Sequence, residues 1–232
     1  MTKLKLLRDG PSRGPRVLLA HGAGAGMDSA FMSEVAAGLG ERGLAVARFE
    51  FPYMQRRRKS GVKAPPDRAP VLLECFRQAV LQLGAADELL IGGKSLGGRM
   101  ASMLADELGV LGLVCLGYPF HPPGKPDKTR TEHLQSLKTH ALIVQGTRDP
   151  FGTREDVAKY ELSRRIQLKW IEDGDHDLAP RRSAGHSREQ ARAELLAAVA
   201  GFAQKRSRTR RGRSGNASAP AQPKATRGRR GT

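Results

Sequence analysis

Short apolar runs alternate with amphipathic segments along most of the chain. The predicted strands are Leu4–Leu7, Val17–Ala20, Ala45–Phe49, Leu89–Gly92, Gly112–Leu116, Ala141–Gln145 and Gln167–Ile171. Continuous apolar runs of this length are typical of strands that are buried on both faces. The alternation therefore predicts an α/β fold with a mostly parallel, doubly wound sheet and helices on both of its faces.

The helices predicted between these strands rest on apolar positions that recur with a period of 3.6 residues. The predicted helical segments are 31–39, 71–83, 96–108, 154–164 and one that begins at Ser187. Gln190 follows Ser187 by three residues, which is the spacing of a capping box. No internal repeat or long linker interrupts residues 1–203, so we predict a single domain there.

Composition narrows the setting of this domain. A chain of 232 residues has room for one sizeable core, and no apolar run approaches the ~20 residues of a membrane helix. Residues 1–5 are too short and polar for a secretory signal. Cys75 and Cys115 have neither metal-site spacing nor a disulfide framework, so we predict buried, reduced thiols. Together these features predict a cytoplasmic protein without membrane contact.

The positive charge is concentrated at the C-terminal end. Of the formal net charge of +17, ten Lys and Arg residues lie in 204–232, which contains no Asp or Glu. This segment also lacks Leu, Ile, Val and Phe, so we predict a disordered basic tail. Two interpretations are open for it: non-specific, salt-sensitive contacts with nucleic-acid phosphates, or a merely solubilising extension.

A Gly-x-Ser-x-Gly motif spans Gly93–Gly97, between a predicted strand and a predicted helix. In that context a sharp turn lifts the serine out of the sheet, and the glycines leave room for neighbouring elements. We therefore predict that Ser95 is a nucleophile. The same letters end a P-loop, but Glu88 stands where that motif requires glycine, and we exclude a nucleotide site.

Asp149 and His176 also follow predicted strands directly, as Ser95 does. Functional residues of such folds lie at the carboxyl ends of the strands, so we expect the three side chains to meet there. The chain order Ser, Asp, His is the order of the α/β-hydrolase arrangement. Asp175 and Asp177 flank His176, but adjacent residues rarely point at each other's rings, so Asp149 is the predicted orienting acid.

An oxyanion hole needs two backbone N–H donors. Leu96, the residue after the nucleophile, is predicted to supply one of them. The other is expected from the glycine-rich loop after the strand Val17–Ala20, with Ala23 the first candidate and Gly24 the alternative.

The glycine-rich loop allows two further interpretations. His21 resembles a second base, but we expect it to shape the loop through a hydrogen bond. The run Gly22-x-Gly24-x-Gly26 resembles a dinucleotide fingerprint, with Glu50 as the ribose-binding acid, but it is one residue too short. We predict neither a metal nor an organic cofactor.

Two segments, residues 51–66 and 118–131, are predicted to form a shallow lid over the site. Lys94, Tyr118 and His121 are the predicted substrate-binding residues. The predicted partner is a small-molecule acyl substrate, and the basic residues around the site allow an anionic acyl group or a phosphate on it, because clustered charge concentrates anions. The alternative is a solvated basic face.

Several of these motifs together resemble the α/β-hydrolase superfamily, over about residues 4–203. The segments that carry the resemblance are His21–Ser29, Phe51–Tyr53, Gly93–Arg99 and Tyr118–Gly124. They are similar to a branch that contains bacterial dienelactone-hydrolase-like proteins, the testis-expressed protein 30 group and NSL complex subunit 3. The resemblance implies an α/β-hydrolase fold with Ser95, Asp149 and His176 in the triad positions. Dienelactone hydrolases proper use a cysteine nucleophile, so Ser95 departs from them and their substrate is not carried over.

The residues and the resemblance together predict a serine hydrolase of carboxylic esters or thioesters that works through an acyl-enzyme. Some relatives in this branch serve in chromatin-modifying assemblies. The alternative is therefore a non-catalytic interaction protein that uses the fold as a scaffold and the basic tail to bind nucleic acid or other polyanions. No member of the triad is missing, which favours catalysis.

Overall fold

A seven-stranded sheet forms the centre of the protein in the computed structural model, which describes residues 3–216. The strands are β1 (Leu6–Asp9), β2 (Arg16–Ala20), β3 (Ala45–Phe49), β4 (Leu89–Lys94), β5 (Gly112–Leu116), β6 (Ala141–Gly146) and β7 (Ile166–Ile171). Their order across the sheet is β1-β3-β2-β4-β5-β6-β7. Only β1 runs antiparallel to its neighbour, so the predicted mostly parallel sheet is confirmed.

Helices cover both faces of this sheet. They are α1 (Ala30–Glu41), α2 (Pro52–Ser60), α3 (Ala69–Leu83), α4 (Leu96–Leu104), α5 (Glu132–Gln135), α6 (Arg154–Val157) and α7 (Arg188–Asn216). One apolar layer lies between the sheet and α2, α3 and α4, and the other lies between the sheet and α1 and α7. Successive residues of β4 alternate between the layers, since Leu89 and Ile91 belong to the first and Leu90 to the second.

The two cysteines lie in the first of these layers. Cys75 and Cys115 are both free thiols with buried side chains, as predicted. Burial raises the pKa of both thiols, that of Cys75 to about 12. No helix within the described residues 3–216 is long and apolar enough to cross a bilayer.

Helices α2, α4, α5 and α6 differ from the sequence prediction, and the four-residue α5 was not predicted. Helix α2 was not predicted, because its basic run has no apolar periodicity; Pro52 fits its first turn, and Tyr53 is buried. Helix α6 has four residues instead of the predicted eleven, and beyond it the Tyr160 ring packs on the core while its hydroxyl donates to Pro126 O. Helix α4 ends at Leu104 rather than at Leu108.

The predicted disorder of residues 204–232 is wrong for its first part, because α7 continues to Asn216. The side chains of this extension return to the domain: Arg206 Nε donates to Leu111 O, and Arg210 pairs with Asp87 and Glu88. Exposed ion pairs are individually weak and contribute only part of the stability of this extension. The favourable helix propensity of its arginines contributes as well. Residues 217–232 lie outside the described part of the chain.

A single methyl group at Gly92 is expected to destabilise the sheet. A Cβ atom there would lie 1.9 Å from Val114 O, a carbonyl of the neighbouring strand that cannot move without disturbing the β4–β5 pairing. Gly92→Ala should lower the free energy of unfolding by about 3 kcal/mol or more. Urea denaturation would measure this change.

Gly201→Ala provides the matched control for that experiment. Gly201 lies within α7, and a Cβ atom there would meet no other atom within 4 Å. This substitution should raise the free energy of unfolding by about 0.5–1 kcal/mol, because alanine is the better helix former. Equal unfolding midpoints for the two variants would contradict the packing argument.

Candidate active site

Ser95 occupies the sharp turn between β4 and α4. Its backbone has φ 49° and ψ −112°, a conformation that costs free energy for a non-glycine residue. The turn is held by the bond from Ser95 N to Leu116 O, at 3.0 Å. A Cβ atom at Gly93 or Gly97 would lie 2.2 or 2.4 Å from Ala20 O, so both glycines are required for the close approach of β2.

The structure brings the three predicted residues into one hydrogen-bonded chain. His176 Nε2 lies 2.9 Å from Ser95 Oγ, and His176 Nδ1 lies 2.8 Å from Asp149 Oδ2. Because a carboxylate only accepts, Nδ1 carries the proton and Nε2 is free to accept from the serine hydroxyl. The Phe151 ring packs against the His176 ring, with 4.3 Å between the centroids.

Asp149 is fully buried, and its carboxylate has further donors around it. Oδ1 accepts from Phe151 N at 2.9 Å, and Oδ2 accepts from Gln145 Nε2 at 2.8 Å as well as from His176. The Gln145 amide is itself fixed, because its Oε1 accepts from Tyr118 N at 2.7 Å. Sequence analysis missed Gln145; a polar residue that closes an apolar strand was the available signal.

The acids that flank His176 fold its loop. Asp175 Oδ1 accepts from the N–H groups of Asp177 and Ala179, at 2.9 and 3.0 Å. Asp173 pairs with Arg181, whose hydrogen bonds lower the pKa of that carboxyl to about 2. These contacts agree with the expectation that neither Asp175 nor Asp177 orients the imidazole.

The glycine-rich loop after β2 is held against α2. Tyr53 OH lies 3.2 Å from both Gly22 O and Ala23 O, and Arg57 Nη1 lies 3.3 Å from Ala23 O. On the other side of the site, Leu96 is the first residue of α4, where N–H groups have no acceptor within the helix. Ala23 and Leu96 stay the predicted oxyanion donors.

His21 has the contacts of a loop-shaping residue, as expected. Its ring is buried, with Nδ1 at 2.7 Å from Gly22 O and Nε2 at 3.1 Å from Phe51 N. The first nitrogen therefore donates and the second accepts, which is the pattern of a neutral imidazole. Burial lowers the pKa of His21, which favours the same state.

A cavity of about 370 Å³ opens beside Ser95. It is lined by Gly22, Ala23, Gly24, Ala25, Ser29, Phe31, Met32, Lys94, Ser95, Phe151, His176 and Asp177. Its larger walls are apolar, and its two flanking charges, Lys94 and Asp177, lie 3.3 Å apart. Lys94 thus borders the cavity as predicted, although its charge is paired. The lining residues come from neither of the two segments predicted to form a lid.

The prediction that Tyr118 and His121 bind substrate is wrong, because both lie in the interior. Tyr118 is fully buried and its hydroxyl donates to Arg130 O at 2.9 Å. His121 is also buried; its Nδ1 bonds Pro122 O, and its Nε2 lies 3.4 Å from Asp156 Oδ2. Their rings are packed in the protein and do not line the cavity at Ser95.

Within residues 3–216, no group of His, Cys, Asp and Glu side chains could hold a metal ion.

Comparison with known proteins gives a family and a fold. A family model described as an alpha/beta hydrolase domain matches residues 13–204. A monoacylglycerol lipase from Paleococcus ferrophilus has a similar structure, with TM-score 0.65 and 15% identity, over 88% of this chain and all of the lipase. A dienelactone hydrolase from Anabaena variabilis matches with TM-score 0.61 and 22% identity, over 88% of this chain and 91% of its own. An α/β serine hydrolase without a lid from Xanthomonas campestris matches with TM-score 0.56 and 18% identity, over 95% and 91% of the two chains.

Proposed function

This chain belongs to the alpha/beta hydrolase domain family, and on that premise we propose that it hydrolyses carboxylic esters or thioesters through Ser95, His176 and Asp149. The observation that carries the proposal is the hydrogen-bonded chain from Asp149 through His176 to Ser95, with contacts of 2.8 and 2.9 Å. An acid, a base and a hydroxyl in this arrangement are the parts that acyl transfer needs.

The reaction follows from these contacts. His176 Nε2 takes the proton of Ser95 as its Oγ attacks the acyl carbonyl, and Asp149 stabilises the imidazolium that forms. The N–H groups of Leu96 and Ala23 hold the oxyanion of the tetrahedral intermediate. His176 then gives its proton to the departing oxygen or sulfur. A water molecule, deprotonated by the same imidazole, then attacks the acyl carbon. The ester bond to Ser95 breaks, His176 returns the proton to Oγ, and the acid is released.

The cavity favours a small, mostly apolar group next to the scissile carbonyl. Its walls include Phe31, Met32 and Phe151, whose burial of an apolar group is favourable. The positive charge of Lys94 is balanced by Asp177, so the cavity offers an anion less attraction than the sequence suggests. We therefore favour a neutral acyl group over an anionic one.

Fluorophosphonate labelling followed by mass spectrometry tests the proposal. A fluorophosphonate reacts only with a serine that is already activated, so the adduct should lie on Ser95. His176→Ala should lower the labelling rate by at least about 10²-fold, because the general base is removed. The matched control is His133→Ala, since His133 lies 2.8 Å from another serine, Ser102, and this variant should label like wild type.

Absence of an adduct in folded protein would contradict the hydrolase and favour the scaffold alternative. In that alternative the basic extension of α7 would act at a distance from the cavity, because Arg210 pairs with Asp87 and Glu88. These two acids precede β4, whereas Ser95 follows it, so the extension lies at the end of the sheet opposite the cavity. Contact of residues 204–232 with nucleic acid stays a prediction and is compatible with catalysis.

A further inference from the structure

Lys94 directly precedes the nucleophile, yet its side chain turns into the protein. It is 7% exposed, and its Nζ donates to the backbone carbonyl of His176 at 2.6 Å. Asp177 Oδ1 lies 3.3 Å from the same ammonium. Burial lowers the pKa of Lys94 and Asp177 opposes that effect. A buried ammonium costs free energy unless its donors are used, so these contacts are needed to keep it there.

The surroundings of Lys94 are shaped to admit it. At Gly117, where φ is +63°, a Cβ atom would lie 3.2 Å from Lys94 Nζ and 2.8 Å from His176 O. At Gly22, a Cβ atom would lie 3.5 Å from Lys94 Cγ. The Phe31 ring lies on another side, with its centroid 5.6 Å from Nζ. The Lys94 side chain thus lies between the glycine-rich loop after β2 and the loop that carries His176.

We propose that Lys94 is a positioning residue, which fixes the backbone of His176 relative to Ser95 and does not bind the substrate. This inference rests on the proposed function, since it concerns the same nucleophile and base. The hydrogen bond from Lys94 Nζ to His176 O connects the residue before the nucleophile with the backbone of the general base. It therefore sets the separation of Nε2 and Oγ, and a misplacement of about 1 Å at such a contact costs ~10²-fold in rate.

The competing role, recognition of an anionic substrate, conflicts with the same contacts. An ammonium has three donors, of which one is given to His176 O and another faces Asp177. A substrate carboxylate that approached the third donor would lie beside Asp177, whose own charge repels it. The two roles differ in what they do to kcat and KM, which makes them separable.

The test compares Lys94→Met with wild type on two esters, neutral p-nitrophenyl acetate and the anionic mono-p-nitrophenyl ester of succinic acid. Methionine keeps the apolar stem and removes the donor. We expect kcat to fall about 10- to 100-fold on both esters, with KM within about threefold. The low-field proton resonance of the His176 Nδ1–H, which reports its bond to Asp149, should shift or broaden. Unchanged kcat, or a loss confined to the KM of the anionic ester, would overturn the proposal.

Lys169→Met is the matched control, because Lys169 lies on β7, outside the cavity, and pairs with Glu194 in a partly exposed position. It should have wild-type kinetics on both esters. Fluorophosphonate labelling separates the two levels of inference. Failure of wild-type Ser95 to react would contradict the proposed hydrolase activity. A labelled wild type together with a fully active Lys94→Met variant would contradict only the positioning role of Lys94.

Asp177→Ala keeps the test decisive if Lys94→Met does not fold. Its side chain is 73% exposed, and its removal leaves the bond from Lys94 to His176 O in place. At about 0.3 M salt, where exposed charges are screened, the ratio of kcat/KM for the anionic and neutral esters should stay within about threefold of wild type. A rise of more than about tenfold in favour of the anionic ester would mean that an uncovered Lys94 binds substrate, and would overturn the proposal.

Discussion

Ser95→Ala is expected to lower ester turnover by at least about 10³-fold without unfolding the protein. The substitution removes the one atom, Oγ, that lies 2.9 Å from His176 Nε2 and can attack the carbonyl. The positive φ at this position is already borne by a non-glycine residue, and alanine meets the same restriction as serine. Circular dichroism and the melting temperature should therefore be close to those of wild type. The kinetic loss is measured as kcat/KM on p-nitrophenyl acetate.

The chain contains a matched control in α4, the helix that follows Ser95. Ser102 Oγ lies 2.8 Å from His133 Nε2, so this pair has the same two groups in contact. The Ser102 hydroxyl, however, donates to Arg99 O. The pKa of His133 is lowered, mainly by burial and to a smaller extent by the positive charge of Arg99. Ser102→Ala should keep turnover within about threefold of wild type. If Ser95→Ala retained more than a tenth of the wild-type rate, or if Ser102→Ala lost it, the assignment of the nucleophile would fall.

Asp149→Asn is expected to lower kcat by about 10⁴-fold, the loss that follows when a triad histidine is held in the wrong tautomer. Asp149 receives three donors: Phe151 N on Oδ1, and Gln145 Nε2 and His176 Nδ1 on Oδ2. An asparagine has only one acceptor atom. If its oxygen faces Phe151, its amide nitrogen faces His176, which must then accept at Nδ1 and carry its proton on Nε2. That tautomer cannot take the serine proton.

The opposite orientation of the asparagine is also unfavourable. Its nitrogen would then face the N–H of Phe151, which leaves a buried donor without a partner. In the first orientation the asparagine nitrogen also faces Gln145 Nε2, and Gln145 cannot turn its amide to accept from it, because Oε1 accepts from Tyr118 N. The control is Asp175→Asn, in which the remaining side-chain oxygen can still accept from the N–H groups of the loop. Pre-steady-state kinetics on both variants would measure the effect, and similar kcat values would contradict the assignment.

The sheet and the three site residues were predictable because burial and topology determine them jointly. Strands that are covered on both faces form apolar runs in the sequence, and all seven strands lie within two residues of the predicted bounds. Parallel neighbours share one carboxyl edge, so the residues after β4, β6 and β7 must come close together. The sequence order of Ser95, Asp149 and His176 therefore carried information about space.

The remainder depends on contacts between segments that are distant in the chain. The basic residues of α2 do not indicate that this helix holds the glycine-rich loop after β2. The contact is made by the hydroxyl of Tyr53, which lies within hydrogen-bond distance of Gly22 O and Ala23 O. Burial of a titratable side chain has no local pattern either, which is why the sequence predicts Lys94 as a substrate-binding residue and does not reveal its contact with His176 O. Similarly, the helical extension of α7 depends on acids more than a hundred residues earlier in the chain.

The length of α7 determines where a label or a support can be attached to the protein without covering the cavity. At about 1.5 Å per residue, its 29 residues extend roughly 43 Å. The helix begins beside a cleft that shares Phe31 and Asp177 with the catalytic cavity, and its later turns reach Asp87 at the far end of the sheet. A reporter, a bead or a sensor surface attached to an exposed side chain of the later turns of α7 is therefore directed away from the mouth of the cavity, and substrate keeps free access to immobilised protein.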